Sequence, residues 1–166
     1  MNTAQERAQE IRRRYRFKRP SDIERVLCSE NVQATRFPLA GRLEEIVVLN
    51  QVAICDSIED ARHVFELLAH ALGHYLLHAG NQMDLLAPPH TMLAEKWEHQ
   101  AWDFAFELLM PARKVETFLR NGWGEDDLQE AFEVSAEFYE RRMQAFQREY
   151  ANYSSRKTWL ISDRGG

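Results

Sequence analysis

Two histidines four residues apart, His70 and His74 in the stretch HALGHYLLH, are the residues of this sequence best spaced for chemistry. On a helix that spacing places both imidazoles about 40° apart on one face. Neutral imidazole is a good ligand for a divalent metal, with Zn–N distances near ~2.1 Å, so two such rings can share one ion. A third ligand must come from another element. The next helical segment, AEKWEHQAWDFAFELLMP, offers Glu98, one turn before the small Ala101. Small residues at Ala101 and Ala105 would let that segment approach the histidine helix closely. His78 lies one further turn along. Its two-turn separation from His70 makes chelation of one ion by all three histidines awkward, which leaves it as an outer partner or a packing residue. A bare pair of histidines at this spacing is weak evidence alone, since helical histidines four apart are often ordinary surface or core residues.

The segments that must position these residues follow from apolar periodicity and its punctuation. Ala61, Val64, Phe65, Leu68, Leu72 and Leu76 form a helical stripe that runs to about His78. AGNQMDLLAPPH reads as a loop, because Pro88-Pro89 blocks a helix. The Glu98 helix is expected from about Leu93 to Met110, where Pro111 stops it. Two further helices are expected around 112–120 and 125–148, the second with a break near Val134-Ser135. Upstream, NVQATRFPL, LEEIVVLN and VAICD read as strands, the last two joined at Asn50-Gln51. SDIERVLCSE before them reads as a helix capped by Ser21 or Asp22.

Composition bounds the rest. The chain has 166 residues, long enough for one domain with a proper core, and its formal net charge is −5. Residues 1–20 hold seven Arg/Lys against two Glu, whereas the remainder is acidic. Ala4, Ala8, Ile11 and Tyr15 fall at helical spacing there, so this segment reads as a basic amphipathic helix docked on its own domain, with nucleic acid as the alternative contact. An acidic whole chain argues against direct DNA binding as the main task. No apolar run reaches the roughly 20 residues needed to span a bilayer, and the first residues lack a signal-peptide core, so a cytoplasmic location without membrane contact is expected. Cys28 and Cys55 match neither a metal pair nor a disulfide framework and are expected to be packed thiols.

The helix carrying His70 and His74 differs from a zinc-peptidase helix, His-Glu-x-x-His, at one letter: its second position is Ala71. LLAHALGHYLLH followed by KWEHQAWDFAFELLMP resembles the paired motifs of the ImmA/IrrE metallo-endopeptidases. PSDIERVL, LAGRLEEIVVLN and ARHVFELLAH resemble that family's approach to its active-site helix, and LQEAFEVSAEFYERRM its closing helices. The likeness covers about residues 20 to 146.

The resemblance implies that His70 and His74 are metal ligands, that Glu98 is the third, and that the ion is zinc with an open fourth position. Manganese is an equally acceptable occupant of a His/His/Glu set. The family's catalytic glutamate falls on Ala71, where it would take a proton from the water attacking a peptide carbonyl. Alanine cannot accept a proton. The rest of the signature is complete, which favours a deliberate glutamate-to-alanine replacement in an intact protease site. The other explanation is a lineage that lost the base and keeps the scaffold for binding. A second departure is Trp102, where the family often has Asn or Asp to orient a histidine ligand. Asp103 is adjacent but points about 100° away on a helix.

Other candidates have no motif behind them. His90, His99 and Tyr139 are possible donors to an oxyanion, Glu95 reads as a surface charge, and His63 as an ordinary helix residue. Trp97, Trp102, Phe104 and Phe106 read as core, with Trp97 able to line a cleft. No Gly-rich phosphate loop, GxSxG elbow or Cys/His nucleophile pair occurs. The expected architecture is therefore an α+β, mainly helical, zincin-like domain with a small antiparallel sheet packed on the metal-binding helices. One domain is expected over 1–150, with the basic helix in 1–19, the core in 20–148 and a loosely held tail in 151–166. By resemblance, its substrate is a protein, a helix-turn-helix repressor. The alternatives are a non-hydrolytic metal-binding antirepressor and a nucleic-acid module working through the N-terminal helix.

Overall fold

A nine-residue stretch of α3 (Ala61–Leu77), from Glu66 to His74, is buried on every side, and the rest of the fold is arranged to cover it. Asp60 starts this helix by accepting from the Arg62 N–H at 2.9 Å, and Leu67, Leu68 and Leu72 point into the main core. A computed structural model describes residues 2–78 and 91–162. Before α3 come α1 (Thr3–Arg14), α2 (Asp22–Ser29) and the strands β1 (Gln33–Phe37), β2 (Glu45–Val48) and β3 (Gln51–Cys55). After it come α4 (Thr91–Leu109), α5 (Ala112–Arg120), α6 (Glu125–Phe132) and α7 (Ala136–Ser162). The chain is thus mainly helical α+β. Among the described residues, no helix is long and apolar enough to cross a membrane.

The sheet is mixed, not antiparallel throughout. β2 and β3 form the expected antiparallel hairpin, turned through Leu49 at φ 54, but β1 runs parallel to β3 with Ala34 opposite Val52. The strand order is β1-β3-β2. The connection from β1 to β2 skips one strand position, roughly 10 Å across two strand spacings, and β3 folds back into the gap. Val47, Val52 and Ile54 face the core, and α3 packs on β2 and β3.

α1 docks along α4 through Ala4, Ala8 and Ile11, three positions of its expected apolar stripe. Asn2 and Gln5 close its first turn as a capping box, and Arg12 donates to the Leu108 carbonyl. Arg13 and Arg14 stay exposed in the last turn, where cations complement the helix dipole. Asp22 turns back to accept from the backbone N–H groups of Lys18 and Arg19. The break expected near Val134-Ser135 lies between α6 and α7, with Glu133 left-handed at φ 53. Glu66, buried in α3, holds that break by accepting from the Ser135 N–H at 2.6 Å and its hydroxyl at 2.9 Å. Fully buried Arg142 ties α7 to the end of α4 through the Met110 carbonyl at 3.0 Å. α7 continues past 148 to Ser162. Both cysteines are free. Cys28 is exposed, so it is not the packed thiol expected from the sequence.

α3 and α4 meet at a glycine. A Cβ on Gly73 would stand 2.9 Å from the Ala101 carbonyl oxygen and 3.0 Å from its Cα, so only hydrogen fits there. Ala101 and Ala105 are fully buried, in keeping with the close approach read from the sequence. Gly73→Ala should therefore push the helices apart against a backbone that cannot rotate away. An exposed helical Gly→Ala gains about 1 kcal/mol, whereas overpacking costs about 1–3 kcal/mol. A lowered melting temperature is the expected result; a raised one would mean that the two helices have room to spare.

Candidate metal centre

Burial of the middle of α3 forces its histidines to find polar partners inside the protein. His70 is 3% exposed and His74 4%, and a buried imidazole without hydrogen bonds is costly. Both rings turn Nε2 toward α4. Glu98 meets them there: its Oε2 lies 3.3 Å from His70 Nε2 and its Oε1 3.0 Å from His74 Nε2. The rings stand edge to face, 85° apart with centroids at 4.6 Å. The i, i+4 spacing thus delivers two nitrogens to one carboxylate, across the close contact that Gly73 and Ala101 allow.

The outer nitrogens are occupied too. His70 Nδ1 hydrogen-bonds Glu45 Oε1, at the start of β2. His74 Nδ1 lies 3.4 Å from His78 Nδ1, whose Nε2 lies 3.0 Å from Gln100 Oε1. His78 therefore sits behind His74, with its Nε2 turned to Gln100. Aromatic faces fix the ring planes: Trp102 stacks on His70 at 4.1 Å and Trp97 on His78 at 4.7 Å. The Arg141 guanidinium lies 3.7 Å from the Trp102 ring centre. Phe104 and Phe106 are core residues, as expected. A cavity of about 320 Å³ opens beside Glu98 and Trp102, lined also by Asp103, Phe106, Arg141 and Gln144.

Electrostatics follow this layout. Burial disfavours a charged His70, but Glu45 and Glu98 outweigh it and push its pKa up to about 9. Burial acts to raise Glu98, yet the two facing imidazoles hold it well below the ordinary carboxylate range. His78 is lowered, first by burial and then by its histidine neighbours. Outside the cluster, a hydrogen bond to Glu66 raises His63 to about 9 against the opposing effect of burial, with Glu44 assisting.

The donor set suits a divalent ion. The buried Nε2 of His70 has no hydrogen-bond partner, although Glu98 is 3.3 Å away. Two imidazole nitrogens and one carboxylate converging on one side form a His₂Glu arrangement, a donor set that suits zinc. Glu45, His70 and His74 also each bring a donor atom within 4.8 Å of the others. Glu45, however, lies at Nδ1 of His70, while Glu98 lies at Nε2 of both rings, so the shared side belongs to Glu98.

A pH dependence follows. In the metal-free chain, His70 is held charged by its carboxylates. That contribution is complete below about 6.5, the ordinary imidazole value, and is lost as pH rises through about 9. The raised pKa of His63 acts in the same direction. The metal-stripped chain should therefore lose melting temperature between pH 6.5 and 9, while its metal affinity rises across that window as the His70 Nε2 proton becomes easier to displace. A melting temperature that climbs with pH in the stripped chain would contradict this charge pattern.

The remaining sequence candidates fall elsewhere. Ala71 is fully buried. Asp103 accepts from the Asn2 amide at 2.6 Å, not from a histidine. His99 is exposed and bonds the Glu95 carbonyl at 2.7 Å. Tyr139 packs against the core, where burial and Glu125 raise its pKa. His90 lies outside the described residues. Glu45 was missed by sequence reasoning. Its signal was available: it shares a face of β2 with buried Val47, so an acid stands on the inward side of a strand.

Comparison with known proteins gives the context of this geometry. Neither the curated proteins nor the solved structures yielded a match. A family model, that of the IrrE N-terminal-like domain, matches residues 48–144, more than half of the chain and a span that includes His70, His74 and Glu98. The chain belongs to this family, peptidase M78.

Proposed function

We propose that this chain is a metal-dependent endopeptidase scaffold of the ImmA/IrrE type whose general base is missing. The observation that carries the reading is the convergence of His70 Nε2 and His74 Nε2 on one carboxylate, Glu98. These three residues would hold zinc, or manganese, and the ion supplies Lewis acidity toward a peptide carbonyl and the attacking water. Glu98 brings negative charge to the ion and α3 presents both nitrogens. Gly73 keeps the two helices at ligand distance. At position 71 the chain offers only a methyl group, so no side chain there takes the proton that leaves the water. The chain therefore binds its substrate but does not turn it over at a useful rate.

The proposed substrate is a cytoplasmic helix-turn-helix repressor. The acidic balance outside residues 1–20 suits a basic DNA-binding partner, and association should weaken as salt rises. Full burial of Ala71 favours a second reading, a non-hydrolytic antirepressor that sequesters its partner. Losing the base lowers transition-state stabilisation without removing ground-state contacts, so the two readings share a binding mode. Pull-down from the source cell with the Ala71 chain and with Ala71→Glu separates them. One partner captured intact by the first and recovered shortened from the second is the expected result. Equal and uncut recovery by both would favour the antirepressor. Recovery of nucleic acid alone, lost on neutralising Arg12, Arg13 and Arg14, would replace both readings with a nucleic-acid module.

A further inference from the structure

Glu45 reaches the histidine cluster from the sheet, 25 residues before His70 in sequence and upstream of the stretch matched by the family model. Its side chain is 9% exposed. Oε1 meets His70 Nδ1, while the buried Oε2 has no hydrogen-bond partner. A buried carboxylate with half of its acceptor capacity unused is expensive to keep, so packing alone does not account for it. We propose that Glu45 is a positioning residue: it holds His70 as the Nδ1–H tautomer and aims Nε2 at the ion shared with His74 and Glu98. This rests on the metal-site reading above and adds to it a residue on another element.

The geometry separates this role from that of a ligand. An ionised carboxylate only accepts, so the bond to Glu45 places a proton on Nδ1 and leaves the Nε2 lone pair for a metal. The two lone-pair directions of an imidazole diverge, so the carboxylate at Nδ1 cannot share an ion with the one at Nε2. Trp102, stacked 4.1 Å from His70 at 20°, fixes the ring plane but leaves a half-turn within that plane undecided. Such a turn would exchange nitrogen for carbon at the Glu45 side and carry Nε2 away from Glu98, so the Glu45 hydrogen bond opposes it from behind the ring as Glu98 does from in front. His74 has a counterpart in His78 backed by Gln100, a neutral partner in place of an anionic one. Asp103, the acid closest in sequence to Trp102, is engaged by Asn2. Glu45 therefore supplies both the orientation and the negative charge behind His70. Outer partners of this kind typically contribute about 10–100-fold in metal affinity.

The test is competition titration of cobalt(II) and zinc(II) against a chromophoric chelator, using the full chain and its Glu45→Ala, Glu45→Gln, Glu98→Ala and His74→Ala variants. Glu45→Ala should weaken binding about 10–100-fold with one ion per chain and an unchanged cobalt visible spectrum, because the ligand atoms are unchanged. Glu45→Gln keeps an acceptor oxygen without the charge and should lose less. It remains informative if the alanine variant does not fold. Affinities of both Glu45 variants equal to the parent would overturn the positioning role. Loss of binding in Glu45→Ala as complete as in Glu98→Ala, with an altered cobalt spectrum, would make Glu45 a ligand and overturn it too. Undiminished binding in both Glu98→Ala and His74→Ala would instead remove the metal-site reading, and the role of Glu45 with it.

Discussion

Ala71→Glu is expected to turn this chain into a working protease. General-base assistance is worth about 10²–10⁴-fold, and more where the base also positions the attacking water. The substitution adds a proton acceptor next to His70 on α3, and neither histidine nor Glu98 has to change. Ala71 is fully buried, so the glutamate must find room and a partner inside the protein. A metal at the neighbouring Nε2 atoms would favour its ionised form, whereas the metal-free variant should be destabilised by a buried, unpaired acid. The expected pattern is thus double: cleavage of the protein partner appears, and the variant's melting temperature depends on added zinc more steeply than the parent's. Metal-loaded Ala71→Glu that folds, binds the partner and leaves it intact would contradict the reading that Ala71 is what keeps this chain from cleaving. Trp102, stacked on His70, would then be the next position to change.

Removing a ligand should have the other large effect. His74→Ala takes one of two convergent nitrogens, and Glu98→Ala takes the carboxylate that, among the described residues, both rings share. Each should lower metal affinity by more than the about 10–100-fold typical of an outer partner. The consequences for the metal-free fold differ. Glu98→Ala leaves two buried imidazoles facing no anion on that side, so the raised pKa of His70 should fall and the variant should lose part of the stability that the parent has below pH 6.5. His74→Ala leaves a cavity beside the His70 ring and removes the neighbour of His78 Nδ1. Elemental analysis of untagged protein after exhaustive dialysis gives the readout. One equivalent of metal retained by both variants would show that these residues do not form the site.

The legible parts of this molecule were those that depend on local periodicity. A 3.6-residue repeat converts His70, His74 and Glu98 from spacing into geometry, because a helix fixes the direction of every side chain along it. Ala101 and Ala105 were legible for the same reason, as a small face on a helix that must come close. Gly73 was the unread half of that contact: a glycine inside an otherwise good helix marks a place where another backbone passes. β1 was recognised as a strand, but its parallel partner was not. Pairing depends on where the seven residues from Pro38 to Glu44 carry the chain, and their composition does not specify that. Glu45 was hidden by distance. Sequence reasoning looked for outer support on α4, at Trp102 and Asp103, whereas the acid comes from the sheet. Only strand alternation, with Glu45 beside Val47 on the inward face, pointed to it.

Anomalous diffraction at the zinc edge, on crystals of the untagged chain grown with one equivalent of zinc, tests the central claim most directly. The predicted result is a single ion bonded to His70 Nε2, His74 Nε2 and a Glu98 carboxylate oxygen, with one further position open to solvent and Glu45 remaining on His70 Nδ1. An ion held by Glu45 or by His78 in place of Glu98, or no ion between α3 and α4, would contradict it.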